Sequence, residues 1–144
     1  MILLDVNVVV AAFRADHPHH ARVRPWLEDV LQKSTPLAVP DVVWVGFIRT
    51  CTNPRVFPVA STIDETLEFV RALTAHSSYV HLGGLREGIG PFLDVVSTAS
   101  AAANLTTDAY IAAVALAWAA DVATLDRDFR RFDDLRIIAP GAAT

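Results

Sequence analysis

Three aspartates, far apart in the chain, stand in matching local contexts. Asp5 follows the apolar run Ile2-Leu3-Leu4, Asp126 follows Val122-Ala123-Thr124-Leu125, and Asp108 opens an apolar helical stretch. In an open parallel sheet the strand C-termini and helix N-termini share one edge, where ligands bind. The three positions can therefore converge on one pocket, and Asn7 and Asp128, two residues beyond Asp5 and Asp126, are close enough to join them. Carboxylates gathered in this way repel and raise one another's pKa values, a cost that a divalent cation removes. An all-oxygen donor set selects Mg²⁺ or Mn²⁺ over zinc or copper. The chemistry such a site supports is metal-assisted hydrolysis of a phosphodiester. Each residue also has a structural reading. Asp108 suits a helix cap or first turn, and Asp126 and Asp128 suit a turn. Asp5, directly behind a buried strand, is the hardest to explain that way.

The elements that must position these residues alternate between strand and helix. Ile2-Leu4 reads as a buried strand, and Val6 to Phe13 as helix or strand. Pro18 to Gln32 reads as a helix that kinks or starts late at Pro25. Leu37-Val39 is a short strand, and Pro40 can begin the next helix, to about Thr52. Thr62 and Glu65 form a capping-box pattern that opens a helix to about His76. Tyr79 to Leu82 reads as a strand stopped by Gly83-Gly84. A helix is expected from Pro91 to Ala103 with Asn104 as its C-cap, then another capped by Thr106 or Thr107 and running to about Ala120. Val122-Leu125 and Leu135-Ile138 close the series as strands. Strands alternating with helices imply α/β architecture, a central parallel sheet covered on both faces. No linker or internal repeat is visible, so one domain spanning 1-144 is expected.

Composition narrows the function classes. The chain has 144 residues, 53% hydrophobic and 19% charged, with net charge -4. Disorder is therefore excluded. No uncharged apolar stretch reaches the roughly 18 residues needed to span a membrane. No charged segment leads into an apolar one at the start, and a cytoplasmic location is expected. Cys51 is the only cysteine, which rules out an internal disulfide and a cysteine-rich zinc site. Lys33 is the only lysine, so any phosphate contact falls to arginine, for which Arg49, Arg55 and Arg127 are candidates, with Arg130 and Arg131 beside them. The apolar content is high for so short a chain and suggests apolar surface buried between subunits.

Five segments together resemble the PIN-domain family. They are Leu3-Leu4-Asp5-Val6-Asn7-Val8, His17-Pro18-His19-His20-Ala21, Gly46 to Pro54, Thr107-Asp108-Ala109-Tyr110-Ile111-Ala112-Ala113, and Ala123-Thr124-Leu125-Asp126-Arg127-Asp128-Phe129. Their order and spacing are similar to those of the VapC toxins abundant in mycobacteria. The resemblance implies a three-layer α/β/α sandwich and a Mg²⁺- or Mn²⁺-dependent endoribonuclease. It also implies a homodimer, an RNA substrate, and inhibition by a cognate VapB-type antitoxin whose arginine pairs with the carboxylates. Asp5, Asp108 and Asp126 match the family's metal-site aspartates. Asp128 matches a second acidic position, Asn7 a polar one beside the first aspartate, and Thr124 a hydroxyl near the last. At one position the chain departs from the pattern. The family's glutamate three residues before Arg49 is here Gly46. Asp41 on the same helix is a substitute ligand by type, but it stands five residues away, off that helix face, and reads better as a cap.

Rival readings are weighed on the same residues. His17, His19 and His20 lack the i, i+4 pairing of helical zinc sites and read as a solvated helix start. His76 and His81 read as structural, and Trp44 as core rather than as a stacking platform. Asp5-Val6-Asn7 does not suit an aspartate-nucleophile phosphatase, because Asn7 cannot transfer the proton. The alternative to an enzyme is a PIN-fold module that, with Gly46 in place of glutamate, binds RNA or protein without efficient cleavage.

Overall fold

The computed structural model describes residues 1-141; the last three positions of the expected domain, 142-144, lie outside the described residues. Four strands form a parallel sheet in the order β2-β1-β3-β4. They are β1 (Ile2–Leu4), β2 (Leu37–Ala38), β3 (Asp121–Ala123) and β4 (Ile137–Ile138). The helices are α1 (Val6–Phe13), α2 (His20–Gln32), α3 (Asp41–Cys51), α4 (Ile63–Thr74), α5 (Gly90–Thr98) and α6 (Leu105–Ala117), with a 3₁₀ segment at Arg127–Arg131. Strand β1 is central, with Leu4 paired to Ala123 on one side and Leu3 to Ala38 on the other. Consecutive strand residues point to opposite faces. Leu3 and Leu4, Leu37 and Ala38, and Val122 and Ala123 are all fully buried. Both faces of the sheet are therefore covered, which is the three-layer α/β/α arrangement. Helix α1 packs on α2 and α3, α3 on α4, α5 on α6, and α6 on β3.

Several boundaries differ from those the sequence predicts. Val6–Phe13 is helix, because Asp5 accepts the Val6 N–H and starts it. Helix α2 runs through Pro25 without a later start. Pro25 and Ala21, whose carbonyl loses its donor, are both exposed, so water can satisfy that carbonyl. The predicted strand at Tyr79-Leu82 is only an isolated bridge from Tyr79 to Leu37. Its partner β2 runs out at Val39, because Pro40 has no N–H for a ladder and turns the chain into α3.

The largest shift concerns the region before Asp108. Helix α5 stops at Thr98 rather than Ala103, because Ser100 adopts a left-handed φ of 49°. The N–H of Ala101 then bonds the Val96 carbonyl at 2.9 Å and that of Ser100 the Ser97 carbonyl at 3.3 Å, a Schellman closure. Asn104 does not end that helix; it precedes Leu105, the first residue of α6, and neither Thr106 nor Thr107 caps α6. Asp108 is thereby drawn into the first turn of α6 rather than standing just beyond a cap. Helices α2 and α6 close in the same way on Ser34 and Ala119, again without glycine. The capping box at Thr62 and Glu65 is formed as the sequence predicts. Among the described residues no helix is long and apolar enough to cross a membrane.

Candidate functional site

The register of β1 with β3 sets Asp5 beside Thr124 at the strand ends, where the Asp5 N–H bonds the Ala123 carbonyl at 3.0 Å. Asp5 is 4% exposed. Its Oδ1 accepts the Val6 N–H at 2.6 Å, and its Oδ2 accepts the Asn7 amide at 2.6 Å and the Thr124 hydroxyl at 2.7 Å. Asn7 also reaches across to β3, donating to Thr124 Oγ1 at 3.2 Å and accepting the Leu125 N–H at 3.0 Å. The Thr124 hydroxyl accepts the Asp126 N–H at 3.0 Å. These bonds lock the two strand ends together and hold the Asp5 carboxylate in one orientation.

Asp126 lies one turn further on, where its Oδ1 accepts the Asp128 N–H at 2.8 Å and opens the 3₁₀ segment. Asp108 approaches from the first turn of α6. Burial, and then the charges of Asp5, Asp126 and Asp128, push its carboxyl up to about 6, and Arg131 offsets this only in part. Asp5 is also raised, first by burial and further by Asp126, against hydrogen bonds from Thr124, Val6 and Asn7 that lower it. Asp5, Asn7, Asp108 and Asp126 share the wall of one cavity of about 740 Å³. Much of the rest of that wall comes from α3, through Val42, Val45, Gly46, Arg49 and Thr50, from Val56 and Phe57 after it, and from His17, Asn104 and Thr107.

Among the described residues no three acidic, histidine or cysteine side chains are drawn close enough to enclose an ion by themselves. The donor set nonetheless fits Mg²⁺ or Mn²⁺. It is all oxygen, holds Asp108 raised by burial and then by its neighbours' charges, and among the described residues has no ion pair on Asp5, Asp108 or Asp126. Mg²⁺ binds through few carboxylates and keeps waters that substrate can replace, so an open arrangement suits it.

The other sequence candidates fall elsewhere. Asp41 is exposed at the first position of α3 and does not line the cavity; Pro40, not Asp41, holds the cap position. Its charge is felt instead by Tyr79, on the Trp44 side of the helix. Asp128 is also outside the cavity wall and pairs with Arg131 at 3.4 Å. Of the arginine candidates Arg49 lines the cavity, whereas Arg55 and Arg127 are exposed away from it. Trp44 is core, 9% exposed, with its indole donating to Tyr79 at 3.2 Å. His19 and His20 belong to the start of α2, and His20 Nδ1 lies 2.8 Å from the Ala11 carbonyl. His17, expected to be solvated, is half-buried in the cavity wall instead. Asn104, Thr107 and Phe57 were not singled out for the site. Nothing in their spacing marks them, because loop and helix ends bring them there.

Gly46 does face the cavity, and its neighbour explains its type. A Cβ built on it would lie 2.9 Å from Cγ2 of Val6, the first residue of α1. The Val6 side chain of α1 packs directly on Gly46 of α3 and occupies the space a longer side chain at 46 would need.

A family model for the PIN domain matches residues 2–135. The chain is 39% identical over 140 residues to Ribonuclease VapC31 of Mycobacterium tuberculosis, covering 97% of this chain and 99% of that protein. It is 37% identical over 140 residues to Ribonuclease VapC25 of the same organism, with the same coverage of 97% and 99%. Among solved structures it is similar in fold to VapBC2 from Rickettsia felis bound to a DNA fragment from their promoter. The TM-score is 0.71 at 17% sequence identity, covering 96% of this chain and 98% of that one.

Two expectations follow from this geometry. Gly46→Ala should lower the unfolding free energy by about 1 kcal/mol or more, through overpacking against Val6. In a Val6→Ala background the same change should instead gain up to about 1 kcal/mol of helix propensity. Urea unfolding of the four proteins measures this, and equal effects in both backgrounds would remove the steric explanation. The second concerns Asp108, whose folded pKa of about 6 exceeds its ordinary 3.8. A raised carboxyl contributes stability below the unfolded value and loses it as pH rises through the folded one. Metal-free Asp108→Asn should therefore be more stable than the parent at pH 7.5, by on the order of 1 kcal/mol after solvent screening. The two should converge towards pH 4. Melting curves in EDTA across this range test it, and a variant less stable than the parent at pH 7.5 would refute it.

Proposed function

The chain belongs to the PIN domain family, and from that premise we propose that it is a metal-dependent endoribonuclease, the toxin of a VapBC-type toxin–antitoxin pair. The observation that carries the reading is the gathering of Asp5, Asp108 and Asp126 on one cavity wall, where burial and then the neighbouring carboxylates raise Asp108 to about 6. RNA as substrate rests on the relatives, which are named ribonucleases.

Asp5, Asp108 and Asp126 are the residues that would hold Mg²⁺ or Mn²⁺. Bound there, the cation would supply Lewis-acid polarisation of a phosphate and a more acidic water. The chain's own residues do the positioning. Val6 N–H, Asn7 and Thr124 fix both oxygens of Asp5 and favour its ionised form. The Asp126 N–H, bonded to Thr124, fixes where the third carboxylate leaves β3. Arg49, the cation on the cavity wall, is placed to meet a phosphate of the RNA. Asp128 is close enough to add to the field on Asp108 without lining the cavity.

The VapBC2 likeness supports a VapB-type partner. An arginine of such a partner, seated on these carboxylates, would neutralise them and exclude the cation. A homodimer is part of the same proposal and accords with large apolar side chains such as Ile63, Ile89 and Leu93 at the surface. A second reading, a PIN-fold module that binds RNA or protein with little cleavage, draws on Val6 filling the space beside Gly46.

Purified chain incubated with RNA should cleave it in Mg²⁺ or Mn²⁺, stop in EDTA, and lose at least about tenfold in rate on Asp5→Asn or Asp108→Asn. Cleavage that persists in EDTA, or in Asp5→Asn, would overturn the metal-site reading. RNA binding with no metal-dependent cleavage would establish the binding module instead.

A further inference from the structure

We propose that the part of the cavity wall formed by His17 and Phe57 is a nucleobase-binding subsite, which seats an unpaired base next to the phosphate to be cut. The proposal deepens the ribonuclease reading and rests on it for the substrate, but not for the geometry. The cavity has two chemistries. Its carboxylates stand at the N-terminal end of α1, whereas His17 follows the C-terminal end of that helix. Eight helical residues separate them by about 12 Å. That is too far for His17 to touch the reacting phosphate and suits a neighbouring nucleotide.

Both aromatic side chains are held in place before any ligand arrives. The His17 ring accepts the backbone N–H of His19 on Nδ1 at 3.1 Å, and the His17 backbone bonds Arg14 and His20. With Nδ1 an acceptor, the neutral ring must carry its proton on Nε2, leaving one N–H free to donate. Burial holds this imidazole below its usual range, with His19 adding to the effect and Asp16 opposing it. Phe57 is fixed from behind, where the Arg14 guanidinium lies 4.3 Å from its ring centroid. Arg14 is itself anchored by Asp16, by Ser61 Oγ at 2.7 Å and by the Val59 carbonyl at 2.9 Å. These bonds tie the end of α1 to the segment between α3 and α4 that carries Phe57. With Arg14 over one face, the ring offers the cavity its remaining face or edge.

A flat apolar ring, an imidazole whose donor is Nε2 and the Arg49 cation on one wall match a base with its phosphate. Bases of single-stranded RNA are read by aromatic stacking and by hydrogen bonds to their edges.

The test has two arms. In the first, ring signals of His17 and Phe57 in the wild-type protein are followed by NMR as each nucleoside 5′-monophosphate is added, with ribose 5-phosphate as control. Saturable shifts with at least one nucleotide and not with ribose 5-phosphate are expected. This arm reads base docking whether or not the chain cuts RNA. Equal shifts with ribose 5-phosphate, or none with any nucleotide, would overturn the proposal. In the second arm, short oligoribonucleotides that differ only in one base or one abasic position are cleaved by the parent, His17→Ala and Phe57→Leu. The variants should raise KM for the base-bearing substrate about tenfold and leave kcat, and the abasic substrate, unchanged. Equal losses on both substrates would show a general structural role and refute base recognition. Absence of all cleavage, with the nucleotide shifts intact, would strike at the ribonuclease reading alone.

Discussion

A buried carboxylate at the end of the central strand sets the terms for the rest of the molecule. Asp5 is 4% exposed and satisfied by a backbone N–H, an amide and a hydroxyl drawn from two elements. Its charge is tolerable only because those donors are in place, and they are in place only because β1 and β3 are parallel, adjacent and in register. The same register delivers Asp126, and α6 delivers Asp108 to the same edge. The sheet thus concentrates negative charge that its own cations do not neutralise, and Asp108 registers the cost. That unfavourable energy is what an external cation, or an arginine from a partner, would relieve.

Gly46 shows how packing and chemistry compete for one position. It lines the cavity, yet a Cβ there would collide with Val6, the residue directly after Asp5. A glutamate at 46 would press on the side chain of Val6, the residue whose backbone N–H holds Asp5. The chain has instead drawn α1 and α3 together, and the carboxylate set is left to the aspartates. Restoring an acidic side chain there is therefore a packing problem before it is a ligand problem, and Val6→Ala is the change that would make room.

Much of this arrangement is legible in the residues. The apolar run that ends in Asp5 marks a strand end, whereas β3 stops at Ala123, three residues before Asp126; the capping box at Thr62 and Glu65 is formed as its pattern indicates. What was hidden depends on tertiary context. Ser34, Ser100 and Ala119 close their helices in left-handed conformations with no glycine to announce them. The strand expected at Tyr79–Leu82 fails because its partner β2 ends at Ala38, two residues before Pro40, a fact about another segment. His17, next to His19 and His20 and without an i, i+4 partner, reads in the sequence as a solvated helix start. Its place in the cavity wall follows from the turn after α1 and from Arg14, which ties that turn to the loop carrying Phe57. Asp41 illustrates the converse, a carboxylate of the right type on the wrong face.

The central claim is that repulsion among Asp5, Asp108 and Asp126 is relieved by a divalent cation. The most direct measurement is the thermal midpoint of the EDTA-treated protein at pH 7.5 as Mn²⁺ or Mg²⁺ is added, compared with Asp108→Asn. A ligand that binds only the folded state raises stability by about 2.7 kcal/mol at a hundred times its Kd. The parent should show a saturable rise, and Asp108→Asn should start higher and gain much less. A parent whose midpoint does not move with either cation, or a variant that gains as much as the parent, would contradict the account.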